Sequence, residues 1–192
     1  MTKEYPTNIA GIKIRFVTEG DEPTVLHFIK AIAEYEKMSE CVVATEEDLH
    51  KAIFEQRACN VLLIEHYGAP VGFCLYFHTF STFCGRRNLY LEDLFINEDM
   101  RGIGIGHEVF RILMQIALTE GCQRLEWVCL NWNEPSIRFY QGLGATPLEE
   151  WTTWRMTSED MKQALEGKPD LTPSQTPATT ERHPFFHPLR NQ

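Results

Sequence analysis

No run of apolar residues in this 192-residue chain reaches the roughly 18 needed to cross a membrane. The opening stretch MTKEYPTNIAG lacks the apolar core of a signal peptide. Positive charge is scarce as well: 18 Lys and Arg stand against 27 Asp and Glu, a formal net charge of −9. That balance argues against nucleic acid as a partner, because such binding runs on basic patches, and it is compatible with a small cationic ligand. No C-x-x-C pair occurs among the six cysteines, several of which sit in apolar strand-like runs, so they read as reduced thiols of a cytoplasmic protein. The seven histidines show no zinc-like spacing outside the C-terminal stretch, where His183 and His187 enclose Pro184, and no metal is expected. What is present, 43% hydrophobic and 23% charged residues, fits one globular domain with a core of ordinary size.

Alternation predicts a first strand over 10–18, and the stripe Val25, Ile29, Ile32 and Ala33 predicts a helix ending near Tyr35 and Glu36. Thr45 with Asp48 resembles a capping box opening a second helix through about Arg57. The runs NVLLIEH (60–66) and VGFCLYFHTF (71–80) predict a hairpin across YGAP. LYLEDLFI (89–96) predicts a strand, and HEVFRILMQIALTEG (107–121) a long helix with Val109, Ile112, Leu113, Ile116 and Ala117 on one face. Further strands are expected over 124–132 and 145–157, separated by a short helix that Asn133-Glu134-Pro135 opens and Gly142-Leu143-Gly144 closes. The resulting order, β-α-α-β-β-β-α-β-α-β, is that of an α+β domain with a mixed, mostly antiparallel sheet flanked by helices. This domain is expected over residues 1–166. Residues 167–192 hold five of the ten prolines with Ser and Thr between them, and read as a disordered tail in which Phe185-Phe186 is a possible docking point.

RGIGIG (101–106) lies between the strand and the long helix. Its glycines, at Gly102, Gly104 and Gly106, match neither the dinucleotide fingerprint nor the P-loop. Successive N–H groups in such a bend still form a concave nest for anionic oxygens, with the helix's positive end behind it and Arg101 at the rim. A pyrophosphate suits that site without lysine or metal. In NEPSIRFY, Asn133, Ser136 and Tyr140 share one helix face; they form either a wall of a ligand groove or a capped surface helix. Glu92 and Asp93 are adjacent in a strand and so are expected on opposite faces; either one meets a cationic ligand where the sheet opens, or one pairs with a nearby Arg while the other faces solvent.

The Arg101-x-x-Gly104-x-Gly106 turn, placed between strand and helix, resembles the acyl-CoA pyrophosphate loop of the GNAT superfamily of N-acyltransferases. WNEPSIRFYQGLGA resembles that family's second CoA motif. Together EYEKM, LYLEDLFI, RGIGIG, WNEPSIRFY and the late Trp154 resemble the diamine and thialysine acetyltransferase branch, in order and spacing, over roughly residues 10–160.

The resemblance implies that backbone groups of Leu94, Phe95 and Ile96 pair with the pantetheine arm, the Leu94 N–H polarising the thioester oxygen. It implies that Arg101, Gly102, Ile103, Gly104, Ile105, Gly106 and His107 hold the pyrophosphate, and that Asn133 and Ser136 contact the far end of CoA. Tyr140 would stand at the sulfur as acid, and Glu92 would be the base, directly or through a water. Tyr35, Glu36, Glu92, Asp93 and Trp154 would surround the acceptor. Ser81 and Thr82 occupy a segment where spermidine/spermine enzymes tend to carry an acid and thialysine-type enzymes carry Ser-Thr. The implied activity is therefore acetyl-CoA-dependent acetylation of a small cationic primary amine, a lysine analogue or short diamine, ahead of a polyamine, a protein lysine or a non-catalytic CoA sensor. Cys84 and Cys129 are read as structural rather than nucleophilic. A homodimer is implied, with Trp151, Trp154 and the segment after Pro147 as the place where chains would exchange.

Overall fold

The computed structural model describes residues 4–167. Six strands form one sheet in chain order: β1 (Glu4–Pro6), β2 (Ile12–Phe16), β3 (Asn60–His66), β4 (Ala69–Ser81), β5 (Arg86–Ile96) and β6 (Leu125–Glu126). Every neighbouring pair is antiparallel except β5 and β6, which run parallel. The helices are α1 (Glu22–Tyr35), α2 (Glu46–His50), α3 (Ile105–Thr119), α4 (Glu134–Gly142) and α5 (Ser158–Leu165). The α+β mixed-sheet expectation is met. The chain divides into two compact units, the first ending at Val128 and the second beginning at Cys129.

In the first unit, β3 is a continuous apolar run whose Val61 to Glu65 are all buried, as a strand covered on both faces requires. Val61 and Leu63 pack with Val25 and Phe28 of α1, Leu49 of α2, and Ile53 and Phe73. The Phe28 and Phe73 rings stack at 5.9 Å, so Phe28→Ala should cost about 3–5 kcal/mol. Helix α3 buries all five residues of its expected stripe, together with Ile105 and Phe110. Arg15 of β2 ties the layers together. Its guanidinium meets Asp21 at 2.7 Å, before α1, and Glu65 of β3 at 2.7 Å. Both carboxylates are thereby satisfied where burial would otherwise penalise them.

Four boundaries differ from expectation. Strand β1 precedes the first expected strand and pairs Tyr5 with Ile14. The helix opened by Thr45 does carry its capping box, but passes into a π-helical turn at Lys51–Glu55. Of the strand expected over 124–132, only Leu125 and Glu126 pair, with Leu89 and Tyr90. No strand forms over 145–157 among the described residues, and α5 follows instead, capped by Thr157 and Asp160. Alternation sets which faces a segment could present, but a strand exists only where a ladder partner takes its backbone groups. The stretch 168–192, with its expected disorder, Phe185-Phe186, His183 and His187, lies outside the described residues.

Candidate active site

Apart from Ser81 and Thr82, the candidate site residues of the first unit lie towards the C-terminal end of β5. There the β4–β5 register breaks: Leu75 pairs with Asp93 and Tyr76 with Leu91, leaving Glu92 as the extra residue of a bulge. The bulge interrupts the strand alternation on which the sequence reading of these two residues relied. Asp93 shares the sheet face of its partner Leu75, which packs on the α1 core with Phe95. The Asp93 carboxylate adds to the effect of burial in pushing up the thiol of Cys74, the residue before Leu75. The thiol of Cys59, pushed up mainly by burial, is pushed further by the Glu92 carboxylate, and Cys59 packs on that same core. Asp93 is buried and Glu92 half-buried.

Past Tyr90 the other edge of β5 has no strand paired to it among the described residues, since the parallel ladder with β6 ends at Glu126. Leu94, Phe95 and Ile96 thus lie on a stretch of strand with one open edge, able to take an extended ligand as an added strand would be taken. Their approach to β4 depends on a residue the sequence analysis passed over. A Cβ at Gly72, opposite Ile96, would collide with the Phe95 carbonyl oxygen. The signal was available, because a glycine inside a strand run marks a close backbone approach.

Beyond β5 a 3-10 turn, Glu98–Met100, leads into the glycine turn. Gly102 and Gly104 have φ of +78° and +96°, and a Cβ at Gly102 would meet nothing within 4 Å. These glycines are needed for backbone conformation rather than for packing. Gly104 is the N-cap of α3 and supplies no capping side chain, so Ile105, Gly106 and His107 present their N–H groups at the positive end of a helix. Ile103 is half exposed at the tip. Arg101 does more than stand at the rim. Its Nε donates to the Ile96 carbonyl at 2.8 Å, and its guanidinium lies 5.1 Å over the Tyr35 ring and 5.5 Å over that of Phe95. One side chain therefore joins the glycine turn, the end of β5 and the end of α1. Tyr35 is the last residue of that helix and Glu36 its C-cap, both half-buried.

Ser81 and Thr82 are not brought to this cluster. Ser81 ends β4, buried, with its Oγ accepting from the Cys84 N–H at 3.3 Å, and Thr82 is exposed in the turn. At about 3.3 Å per residue, Ser81 is roughly 20 Å along β4 from Leu75.

In the second unit, Asn133 caps α4 and its side-chain oxygen accepts from the Ser136 N–H at 3.4 Å. The capping reading of Asn133 thus holds in the structure. Ser136 and Tyr140 are half-buried, and the Tyr140 ring lies 5.5 Å from that of Phe139. Trp154 lies in the irregular stretch before α5 and is 87% exposed. All six cysteines are free; Cys84 is exposed and Cys129 half-buried.

The chemistry this geometry allows is specific. The glycine turn follows a stretch of strand with one open edge, and a carboxylate is bulged into that strand beside Asp93. Comparison with known proteins identifies the family. The acetyltransferase (GNAT) family model matches residues 27–145. The chain is similar to the thialysine N-epsilon-acetyltransferase of Bos taurus, 37% identical over 172 residues, which cover 83% of this chain and 100% of that protein. It is also similar to spermidine/spermine N(1)-acetyltransferase-like protein 1 of Homo sapiens, 31% identical over 166 residues, 81% of this chain and 24% of that one. Among solved structures, an integron cassette protein from the mobile metagenome of V. cholerae matches in fold with a TM-score of 0.67 at 24% identity, over 82% of this chain and 99% of that one.

Proposed function

The chain belongs to the acetyltransferase (GNAT) family, and from that premise we propose that it moves the acetyl group of acetyl-CoA onto a small cationic primary amine, a lysine analogue such as thialysine ahead of short diamines. The observation that carries the reading is the bulge in β5. It sets Glu92 and Asp93 beside the open edge at Leu94–Ile96, a few residues from the anion nest of 101–107. An anionic donor and a cationic acceptor are thus provided for on one strand.

In this reading the pyrophosphate takes the N–H groups of the glycine turn and of the first turn of α3, with no metal required. The pantetheine arm lies along Leu94, Phe95 and Ile96, and the Leu94 N–H stabilises the oxyanion. An alkylamine of lysine type has pKa ~10.4, so about one molecule in 2,500 is neutral at pH 7, a cost of about 4–5 kcal/mol. Glu92 takes the ammonium proton, directly or through water. The freed nitrogen attacks the thioester carbon, and the tetrahedral oxyanion collapses with cleavage of the C–S bond. Tyr140 protonates the leaving thiolate and recovers its proton from the new amide nitrogen, so the net proton released is the one on Glu92. Asn133 and Ser136 meet the far end of CoA. Tyr35, Glu36, Asp93 and Trp154 surround the acceptor.

Ser81 and Thr82 lie too far along β4 to reach their own chain's Glu92, so a role in acceptor choice requires a second copy. Homodimerisation is part of the proposal. Supporting it are exposed Phe80 and Phe83 at the β4–β5 hairpin end, and exposed Trp151, Trp154 and Met156 in the second unit. Six free thiols favour a reducing, cytoplasmic setting. No helix among the described residues is long and apolar enough to cross a membrane.

A CoA-release assay against thialysine, lysine, ornithine, putrescine, spermidine, spermine and a lysine-containing peptide tests the reading. Highest turnover on thialysine and lysine is expected. Spermidine or spermine prevailing would replace the acceptor with a polyamine, and a dominant peptide would make the chain a protein-lysine enzyme. Acetyl-CoA binding without turnover on any amine would leave a sensor.

A further inference from the structure

We propose that His78, Glu120 and Cys122 form a binding site for a divalent cation of the zinc type. One donor atom from each of the three lies within 4.8 Å of the other two. They come from different elements: His78 from β4, opposite Leu89; Glu120 from the C-cap of α3; Cys122 from the turn that leads to β6. Gly121, with φ of +71°, reverses the chain between the last two, and the Cys122 N–H donates back to the Ala117 carbonyl at 2.8 Å. The position of the thiol is thus fixed by the helix end rather than by a loose loop.

The state of the ligand atoms supports the assignment. His78 Nε2 is shut off from solvent and makes no aligned hydrogen bond, although Glu120 Oε2 stands 2.7 Å from it. That carboxylate is itself a member of the cluster. Cys122 is buried and unpaired by any disulfide. A cation between the three would stabilise the Cys122 thiolate and neutralise the Glu120 carboxylate. The carbonyl end of α3 adds a negative potential at the same place.

The donor set selects the ion. One imidazole nitrogen, one thiolate and one carboxylate oxygen suit zinc and disfavour magnesium and calcium, which take oxygen ligands. Bonds of about 2.0–2.3 Å in a tetrahedron put donors roughly 3.3–3.8 Å apart. His78 Nε2 and Glu120 Oε2, at 2.7 Å, stand closer than that, so the Glu120 side chain, 38% exposed, would draw back as the ion enters. Three protein ligands leave one position for water. None of these residues belongs to the proposed acetyl-transfer site. The ion would instead fasten β4 to the end of α3 opposite the glycine turn.

The chain stripped of metal by a chelator is titrated with Co²⁺, and zinc is measured by competition with a chromogenic chelator. One equivalent of Co²⁺ should bind with a thiolate-to-cobalt charge-transfer band, and zinc should raise the melting temperature. Cys122→Ser should abolish the band. His78→Gln and Glu120→Gln should each weaken zinc by more than the about tenfold that losing an outer-shell partner costs. A His183→Ala/His187→Ala chain should bind as the parent does. Absence of the band in the parent chain, its persistence in Cys122→Ser, or loss of binding in the tail variant would each overturn the assignment. Glu120→Gln alters an exposed helix end, so it keeps the test open if a core variant fails to fold.

Discussion

Replacing Glu92 by Gln keeps the size of the side chain and removes the proposed base. The expected loss in kcat/KM is about 10²–10⁴-fold at neutral pH, shrinking at high pH as the amine sheds its own proton. Tyr140→Phe should lower kcat by a similar order while the affinity for CoA, measured calorimetrically, barely moves; an equal loss of CoA affinity would make Tyr140 a binding residue. A second residue-scale prediction concerns the contact at 2.7 Å between His50 and the buried Glu22. Burial pushes the Glu22 carboxyl up, but hydrogen bonds from His50 and from the Glu22 and Gly20 N–H groups bring it below its ordinary 4.5. The same bond holds His50 above its ordinary 6.5. The pair therefore contributes most between those ordinary values. Its contribution is lost as pH rises through the raised His50 value, or falls through the lowered Glu22 value. His50→Ala should lower the melting temperature most near about pH 5.5 and progressively less on the alkaline side. Gly102 and Gly104 were legible in sequence because only glycine takes φ above zero without cost. The bulge at Glu92 was not, because nothing in LYLEDLFI announces it.

At the scale of elements, β4 and β5 approach closely only because Gly72 has no side chain. Gly72→Ala should force β5 away at Phe95, destabilise the chain by about 1–3 kcal/mol and raise KM for acetyl-CoA. A melting curve with steady-state kinetics checks both effects, and stability lost with KM unchanged would detach Gly72 from the donor site. Helix ends were the best-marked features of the sequence. The Thr45–Asp48 capping box was recognised, and Thr157–Asp160 carries the same signature. Strand extents were poorly marked, since Leu125–Glu126 and the unpaired 145–157 differ in what lies beside them rather than in their own alternation. His78 and Cys122 are 44 positions apart in sequence, and only the meeting of β4 with the end of α3 brings them together.

For the molecule as a whole, light scattering should give twice the mass of the chain. Arg or Glu at exposed Phe83 should shift it towards monomer and depress turnover together, whereas a monomer of full activity would remove Ser81 and Thr82 from acceptor choice. The sheet itself has a further consequence, for synthesis. Its spatial order is its chain order from β1 to β6, so each strand finds its neighbour in a segment already made. At about 5–20 residues per second, β5 leaves the ribosome only seconds after β4, and the sheet can grow vectorially behind the advancing chain. Tyr140 is translated after all six strands of the described residues are complete. A nascent chain stalled before α4 would already hold the glycine turn and both carboxylates, but not the acid proposed to complete the reaction.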